Sequence, residues 1–439
     1  MNGFARASKI QWLNKYVTDN QRVALAASAL LLCLFANIVD PITTEDNKIF
    51  FSLTVELLGF FASISLITLS VNALRKTGLM QERDFPVKVF VAGLSSWILY
   101  CLVGIYSNFE TSQVSIARSL EDAYIGYLSL ISISLFILTS LGSRDIQKGF
   151  LVSIFCFAGL ILIVSLYTSR HVLWSESMSW YGIFTRADIS QGYQISRASG
   201  LARMLAVLLF FSFATLFVRF IDKQTYQFSL IDMFLASALI ILTGLIILLQ
   251  SRGAIIAAFF AIICFVSILI IRKYKKYKLI IAGAIFVLIL IGISSADLLF
   301  VPRFGNSGFF QGWSGRGEIW RLIIVGQEGR LLGCGFQCDR LLAGQSASNG
   351  VMYAFATGGL VGLVSVLVIY LLISFLWVAS AFKVTKFNIV NLFSFLAIPF
   401  LLLRTISESG FLVFGFDQII LSVASGALFS SYYLQNHRA

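Results

Sequence analysis

Charge is scarce in this sequence: Asp, Glu, Lys and Arg make up only 12% of its 439 residues. Together with 58% hydrophobic residues and a mean hydropathy of +0.88, that scarcity excludes an ordinary soluble domain. Alternating ten-residue segments are missing, which argues against a membrane β-barrel. No small-residue cleavage site follows the polar stretch from Met1 to Arg22, so no cleavable signal peptide is expected. Sequence repeats, low-complexity tracts and a separate soluble domain are absent as well, which leaves residues 1–439 as one polytopic membrane domain. Histidine occurs only as His171 and His437. Lysine is absent from the longest polar interruption, residues 299–363, where Arg303, Arg316, Arg321, Arg330 and Arg340 carry all the positive charge.

What is present is a series of apolar runs, each long enough to cross a hydrocarbon core of about 30 Å. They predict an all-α integral membrane protein of about twelve spans: 23–39, 49–74, 87–106, 124–141, 150–168, 201–220, 230–250, 254–271, 278–298, 358–380, 388–403 and 412–434. Spans seven and eight are parted only by the turn Gln250-Ser251-Arg252-Gly253. The net charge of +12 does not indicate a nucleic-acid partner, because the basic residues sit at span ends and in loops rather than on a soluble basic face.

Orientation follows from the lysine and arginine bias. With the N-terminus inside, 20 of the 33 basic residues fall on the inner side, both termini are cytoplasmic, and each inner loop is positive or neutral. The inner set holds twelve lysines and eight arginines, whereas the outer thirteen are twelve arginines and Lys48. Arginine presents a planar, permanently charged fork that grips phosphate or carboxylate with two bonds, so the skew points to an outer face that handles anions. Lipid headgroups and outer acids are the alternative partners.

Two outer regions are long: residues 169–200 and residues 299–350. In the first, Trp174, Trp180, Tyr181 and Tyr193 read either as an interfacial belt or as stacking surfaces for sugar rings. Arg186 is a candidate substrate contact there. Cys33, Cys101, Cys156 and Cys264 fall within spans and read as packing residues. Cys334 and Cys338, four apart in the second region, either close a small disulfide ring or stay reduced. Two acids fall within spans, Glu56 and Asp417; Asp417 is expected to meet Arg404, and Glu56 has no evident partner.

Four short pieces carry the candidate chemistry. Ser196-Arg197-Ala198-Ser199-Gly200 opens span six, where an arginine beside a helix N-terminus suits a phosphate. Ser251-Arg252-Gly253 holds an arginine in a tight turn. Ser314-Gly315-Arg316-Gly317-Glu318-Ile319-Trp320-Arg321 predicts, from Glu318 onward, a short amphipathic helix along the membrane with Arg316 and Trp320 on one face. Leu332-Gly333-Cys334-Gly335 is followed by Ser348-Asn349 and then by Gly358-Gly359-Leu360-Val361-Gly362-Leu363.

In this order, over residues 195–365, the pieces resemble the O-antigen ligase and O-antigen polymerase superfamily. The resemblance implies a membrane-embedded fold of the GT-C type in the bacterial inner membrane. It also implies a glycan on undecaprenyl pyrophosphate as substrate and metal-independent glycosyl transfer on the periplasmic face, with no cofactor. By motif match Arg197 and Arg252 hold the pyrophosphate, and Arg316 and Arg321, with Trp320, Ser348 and Asn349, are further substrate contacts. Where ligases carry a histidine before the asparagine this chain has Ser348, a poor general base, and that departure favours the polymerase branch over the ligase. Glu318, Asp188, Glu328, Asp339 and His171 are the candidate bases; pairing of Glu318 with Arg321 is the competing reading of the first. The intramembrane acids keep a transporter or flippase as a third alternative, and binding of a chain-length regulator stays open.

Overall fold

The computed structural model describes residues 25–30, 61–74, 85–111, 131–141, 143–168, 198–222, 229–248, 252–273, 314–328, 330–336, 338–344, 347, 349–384, 387–407 and 416–436. The elements among them are helical: α1 (Phe85–Thr111), α2 (Arg144–Thr168), α3 (Ala198–Asp222), α4 (Leu230–Leu248), α5 (Arg252–Lys273), α6 (Ser314–Gly326), α7 (Cys338–Ala343), α8 (Gly350–Lys383), α9 (Ile389–Ser407) and α10 (Phe416–Asn436). Among the described residues six helices are long and apolar enough to cross a membrane, and Phe61–Leu74, Ile131–Leu141 and Ile389–Thr405 are shorter apolar helices. The chain is therefore an all-helical protein of the multi-pass membrane type. The predicted ninth span and most of the first lie outside the described residues.

The side chains on the bundle's outside support that class. Leu230, Phe234 and Ile240 of α4 are 84%, 73% and 74% exposed, and Leu360, Val364, Leu367 and Leu371 form an exposed apolar stripe on α8. A continuous apolar surface of this size is a liability in water and the expected face toward lipid. Inside, α9 is buried over Val390–Leu401 and α10 over Asp417–Ser430, so these two helices form the centre. α9 packs on α3, α5, α8 and α10, while α8 packs most extensively on α1. Small residues let α10 approach its neighbours closely: a Cβ on Gly426 would meet the Phe136 carbonyl oxygen at 2.8 Å and collide with the Thr139 side chain.

Spans seven and eight are two helices, α4 and α5, as the turn between them requires. Arg252, expected within that turn, is the first residue of α5. The α3–α4 connection is closed by Arg219, which donates from Nε to Asp232 Oδ1 at 2.6 Å and from Nη2 to Ser229 Oγ at 3.1 Å. Ser229 and Asp232 also cap each other's backbone amides, a reciprocal box that starts α4. At the same end of the bundle Lys383, closing α8, lies over the Tyr432 ring near the end of α10 at 4.4 Å from its centroid. The opposite end, where α3, α8 and α10 begin and α9 closes, carries the buried Arg404 and the partly exposed Arg203.

Candidate functional site

Among the described residues, α8 departs from helical regularity toward this arginine end. α8 begins eight residues earlier than its apolar run predicts, at Gly350, and is broken at Gly359, whose φ of 59° and ψ of −146° only glycine adopts without strain. A break frees backbone groups that a membrane interior cannot hydrate. Here the segment Leu331–Phe336 supplies partners: Cys334 N donates to Ala356 O at 3.1 Å and Gly335 N to Thr357 O at 2.9 Å. The approach demands glycine on both sides. A Cβ on Gly333 would lie 2.4 Å from Ala356 O, and one on Gly359 would lie 2.5 Å from Leu331 O. Phe336 then inserts beside Gly104 of α1, where an added Cβ would meet its ring at 2.5 Å, and its ring stands edge-on to Tyr100 at 6.3 Å.

A disulfide fixes this segment. Cys334 and Cys338 are joined, with Cα atoms 5.4 Å apart, and both are buried. Gln327, just past α6, donates from Nε2 to both sulfurs at 3.3 Å and to Ala356 O at 3.0 Å. The third and fourth sequence pieces thus meet at one place, the start of α8.

The residues before α8 are held by a clamp on Ala347. Trp320 of α6 donates its indole N–H to Ala347 O at 2.9 Å, and Asp339 of α7 accepts from Ala347 N through Oδ2 at 2.8 Å. Asn349 then caps α8, its Oδ1 accepting from Met352 N at 3.0 Å. Two of the predicted substrate contacts, Trp320 and Asn349, accordingly have structural partners. α6 begins at Ser314, four residues before the expected Glu318, so Arg316 belongs to the helix. Arg321 donates to both oxygens of Glu318, at 3.0 and 2.7 Å, and both side chains are exposed. The hydrogen bonds and charge of Arg321 hold the Glu318 carboxyl below the usual carboxylate range. The competing reading of Glu318, pairing with Arg321, is the geometry found.

The second feature is a buried charge cluster. Asp417, in the first turn of α10, accepts from Arg203 Nη1 of α3 at 3.0 Å, and Arg404 Nη1 of α9 lies 3.9 Å from the same oxygen. Arg404 is fully buried and Asp417 is 1% exposed, whereas the Arg203 side chain keeps 30% of its surface. The expected partner of Asp417 is present, yet the closer one is Arg203, which stands at the fourth residue after Ser199 of the first sequence piece. The signal was an arginine inside an apolar span, a costly placement that marks function or pairing. Farther along α10, Leu421 and Ser425 line an apolar pocket with Leu94, Trp97, Phe136 and Ile369, about 6 and 12 Å along the helix axis from Asp417.

Of the other predicted residues, Arg186, Arg197 and Ser348 lie outside the described residues, as do the candidate bases Asp188 and His171 and the intramembrane acid Glu56. α3 starts at Ala198 and α5 at Arg252, and both starts lie at the arginine end. Asp339, another candidate base, is buried in the Ala347 clamp, and Glu328 is exposed. No protein-family model matches this chain, and no curated protein is significantly similar to it.

Proposed function

We propose that this protein is a polysaccharide polymerase of the O-antigen type, a glycosyltransferase in the bacterial inner membrane. It joins oligosaccharide repeat units carried on undecaprenyl pyrophosphate and acts on the periplasmic face. In this reading the chain has about twelve spans in a GT-C-type fold, with both termini cytoplasmic and the arginine end outside. The observation that carries it is the ordered set of four sequence pieces, the third and fourth of which meet just before α8 through Trp320 and Ala347, while α3 starts at Ala198 and α5 at Arg252.

The chemistry asked of the protein is modest. Transfer of a glycan from one lipid pyrophosphate to the sugar of another breaks the bond between the anomeric carbon and the phosphate oxygen and forms a new glycosidic bond. The accepting hydroxyl gives up its proton and the leaving pyrophosphate keeps the electron pair. Charge develops on that pyrophosphate, and fixed guanidinium groups at Arg197 and Arg252 would stabilise it. The apolar pocket beside α10 suits part of a polyprenyl chain. Glu318 is not assigned as the base, because its pairing with Arg321 keeps it ionised and weakly basic.

A ligase that moves finished polymer to lipid A-core is the nearer alternative, and Ser348 at the histidine position speaks against it. The broken α8 gives some support to a transporter, since interrupted helices form ion sites in that class. Here, however, loop amides take up carbonyls at the break. The discriminating experiment replaces Arg197 and Arg252 by Lys, which keeps the charge and loses the fork. Long-chain polysaccharide should disappear at normal protein level, with single repeat units still attached to core. Wild-type chain length in both variants would refute the assignment, and bare core would indicate the ligase.

A further inference from the structure

We infer that the turn between α6 and the break in α8 holds the headgroup of a membrane phospholipid. Arg330 takes its phosphate and Glu328 a primary ammonium such as that of phosphatidylethanolamine. The contact holds whatever reaction the protein catalyses and whichever way its arginine end faces.

The lengths of the helices locate the edge of the membrane. The 34 residues of α8 rise about 50 Å, against a hydrocarbon core of about 30 Å. Exposure divides this helix at its break. None of Gly350–Gly359 is exposed, whereas Leu360, Val364, Leu367 and Leu371 are. From Leu360 to Lys383 the rise is about 35 Å, enough to cross the core and bring a charge to the far interface. α1 agrees. Its Val103 lies level with Gly358, where an added Cβ would meet it at 3.3 Å. Leu102 is 58% exposed, and Tyr106, about one turn farther along, is 59% exposed. An exposed tyrosine just beyond an apolar face marks a membrane–water interface.

Leu331 sits on this edge. Its carbonyl accepts from Val361 N at 3.4 Å, beside Leu360, and its side chain is 63% exposed. It extends the lipid-facing stripe of α8, so the occupant of this face is lipid. Arg330 comes immediately before it and Glu328 two residues earlier, both exposed. The turn that carries them is anchored. Arg330 N donates to Gln327 O at 3.0 Å, and the Gln327 side chain is bonded to both disulfide sulfurs and to Ala356 O. Neither charge forms an ion pair among the described residues. Away from the edge the chain therefore runs apolar, positive, negative. A zwitterionic phospholipid presents the complement in the same order: acyl chain, phosphate, amine. The guanidinium fork suits the phosphate oxygens. A carboxylate accepts N–H bonds from a primary ammonium, which the trimethylammonium of choline cannot donate.

The test uses the full-length protein in a neutral detergent, with bound lipid counted by native mass spectrometry. Phosphatidylethanolamine, phosphatidylcholine and phosphatidylglycerol are titrated in turn. Wild type should bind phosphatidylethanolamine about fivefold more tightly than phosphatidylcholine, the scale of an exposed ion pair. Arg330→Gln should weaken binding of both by about fivefold. Glu328→Gln should remove the preference and leave phosphatidylcholine affinity within about twofold of wild type. Both side chains are exposed, so both variants should stay folded by circular dichroism. Equal affinity of wild type for the two zwitterionic lipids would overturn the inference. So would phosphatidylethanolamine affinity in Arg330→Gln within about twofold of wild type. Tighter binding of phosphatidylglycerol than of phosphatidylethanolamine would also overturn it, since a plain cationic surface gives that order. Displacement of phosphatidylethanolamine by inorganic pyrophosphate would reassign Arg330 to a substrate phosphate. A dimer that Leu331→Gln converts to monomer would give the face to a second copy of the chain, and either result refutes the lipid contact.

Discussion

Arg404 is among the largest fully buried side chains of the protein, and Asp417 is the described carboxylate beside it. Removing one member of a buried ion pair leaves an uncompensated charge, at a cost of about 3–5 kcal/mol. Asp417→Asn should therefore lower the unfolding midpoint in detergent strongly. Arg203→Gln should lower it much less, because a carboxylate and a guanidinium remain together. Equal shifts in the two variants would contradict this ordering. The exposed pair on α6 behaves differently. The pairing depresses the Glu318 pKa, so whatever it adds to the helix is present at neutral pH and lost as pH falls below the ordinary carboxylate range. Glu318→Gln should leave polymer yield within about fivefold of wild type, as for an exposed ion pair; complete loss would restore Glu318 as a catalytic candidate.

The element that shapes the candidate site is α8 together with the segment docked on its break. Gly359→Ala places a Cβ against Leu331 O in a left-handed backbone, and Gly333→Ala places one against Ala356 O. Both should reduce folded yield sharply, whereas Gly159→Ala, with nothing within 4 Å of its added Cβ, should not. The disulfide closes a loop so short that its entropic contribution is only about 2 kcal/mol. Protein extracted under alkylating conditions without reductant should show Cys334 and Cys338 unmodified by mass spectrometry, and modification of both would place this loop in a reducing compartment. The glycine pairs were visible in the sequence as a motif, but their purpose was not. Motif spacing cannot reveal that Gly333 and Gly359 face each other across 26 residues. Trp320 and Asn349 were visible as candidate ligands for the same reason, yet the partners they use, Ala347 O and Met352 N, are backbone atoms that no side-chain pattern records.

At the scale of the whole molecule, hydropathy located α4, α9 and α10 to within about four residues and missed the start of α8 by eight. α4, exposed and strongly apolar, is found nearly as its run predicts. α10 carries Gln418, Ser422, Ser425 and Ser430 on faces turned toward protein, so the most buried helix is among the less apolar. Arg203 was overlooked because its partner Asp417 lies 214 positions away and no local pattern joins them. The proposed topology predicts that a membrane-impermeant maleimide labels Arg340→Cys in intact cells with a permeabilised outer membrane, and labels Lys148→Cys only after lysis; both positions are exposed. The reverse pattern would turn the arginine end inward. Turnover tests the central claim most directly. Purified protein in detergent, given lipid-pyrophosphate-linked repeat units and no membrane gradient, should produce a ladder of longer glycans that is lost in Arg197→Lys and Arg252→Lys. Absence of elongation by well-folded wild-type protein, or a ladder unchanged in both variants, would contradict it.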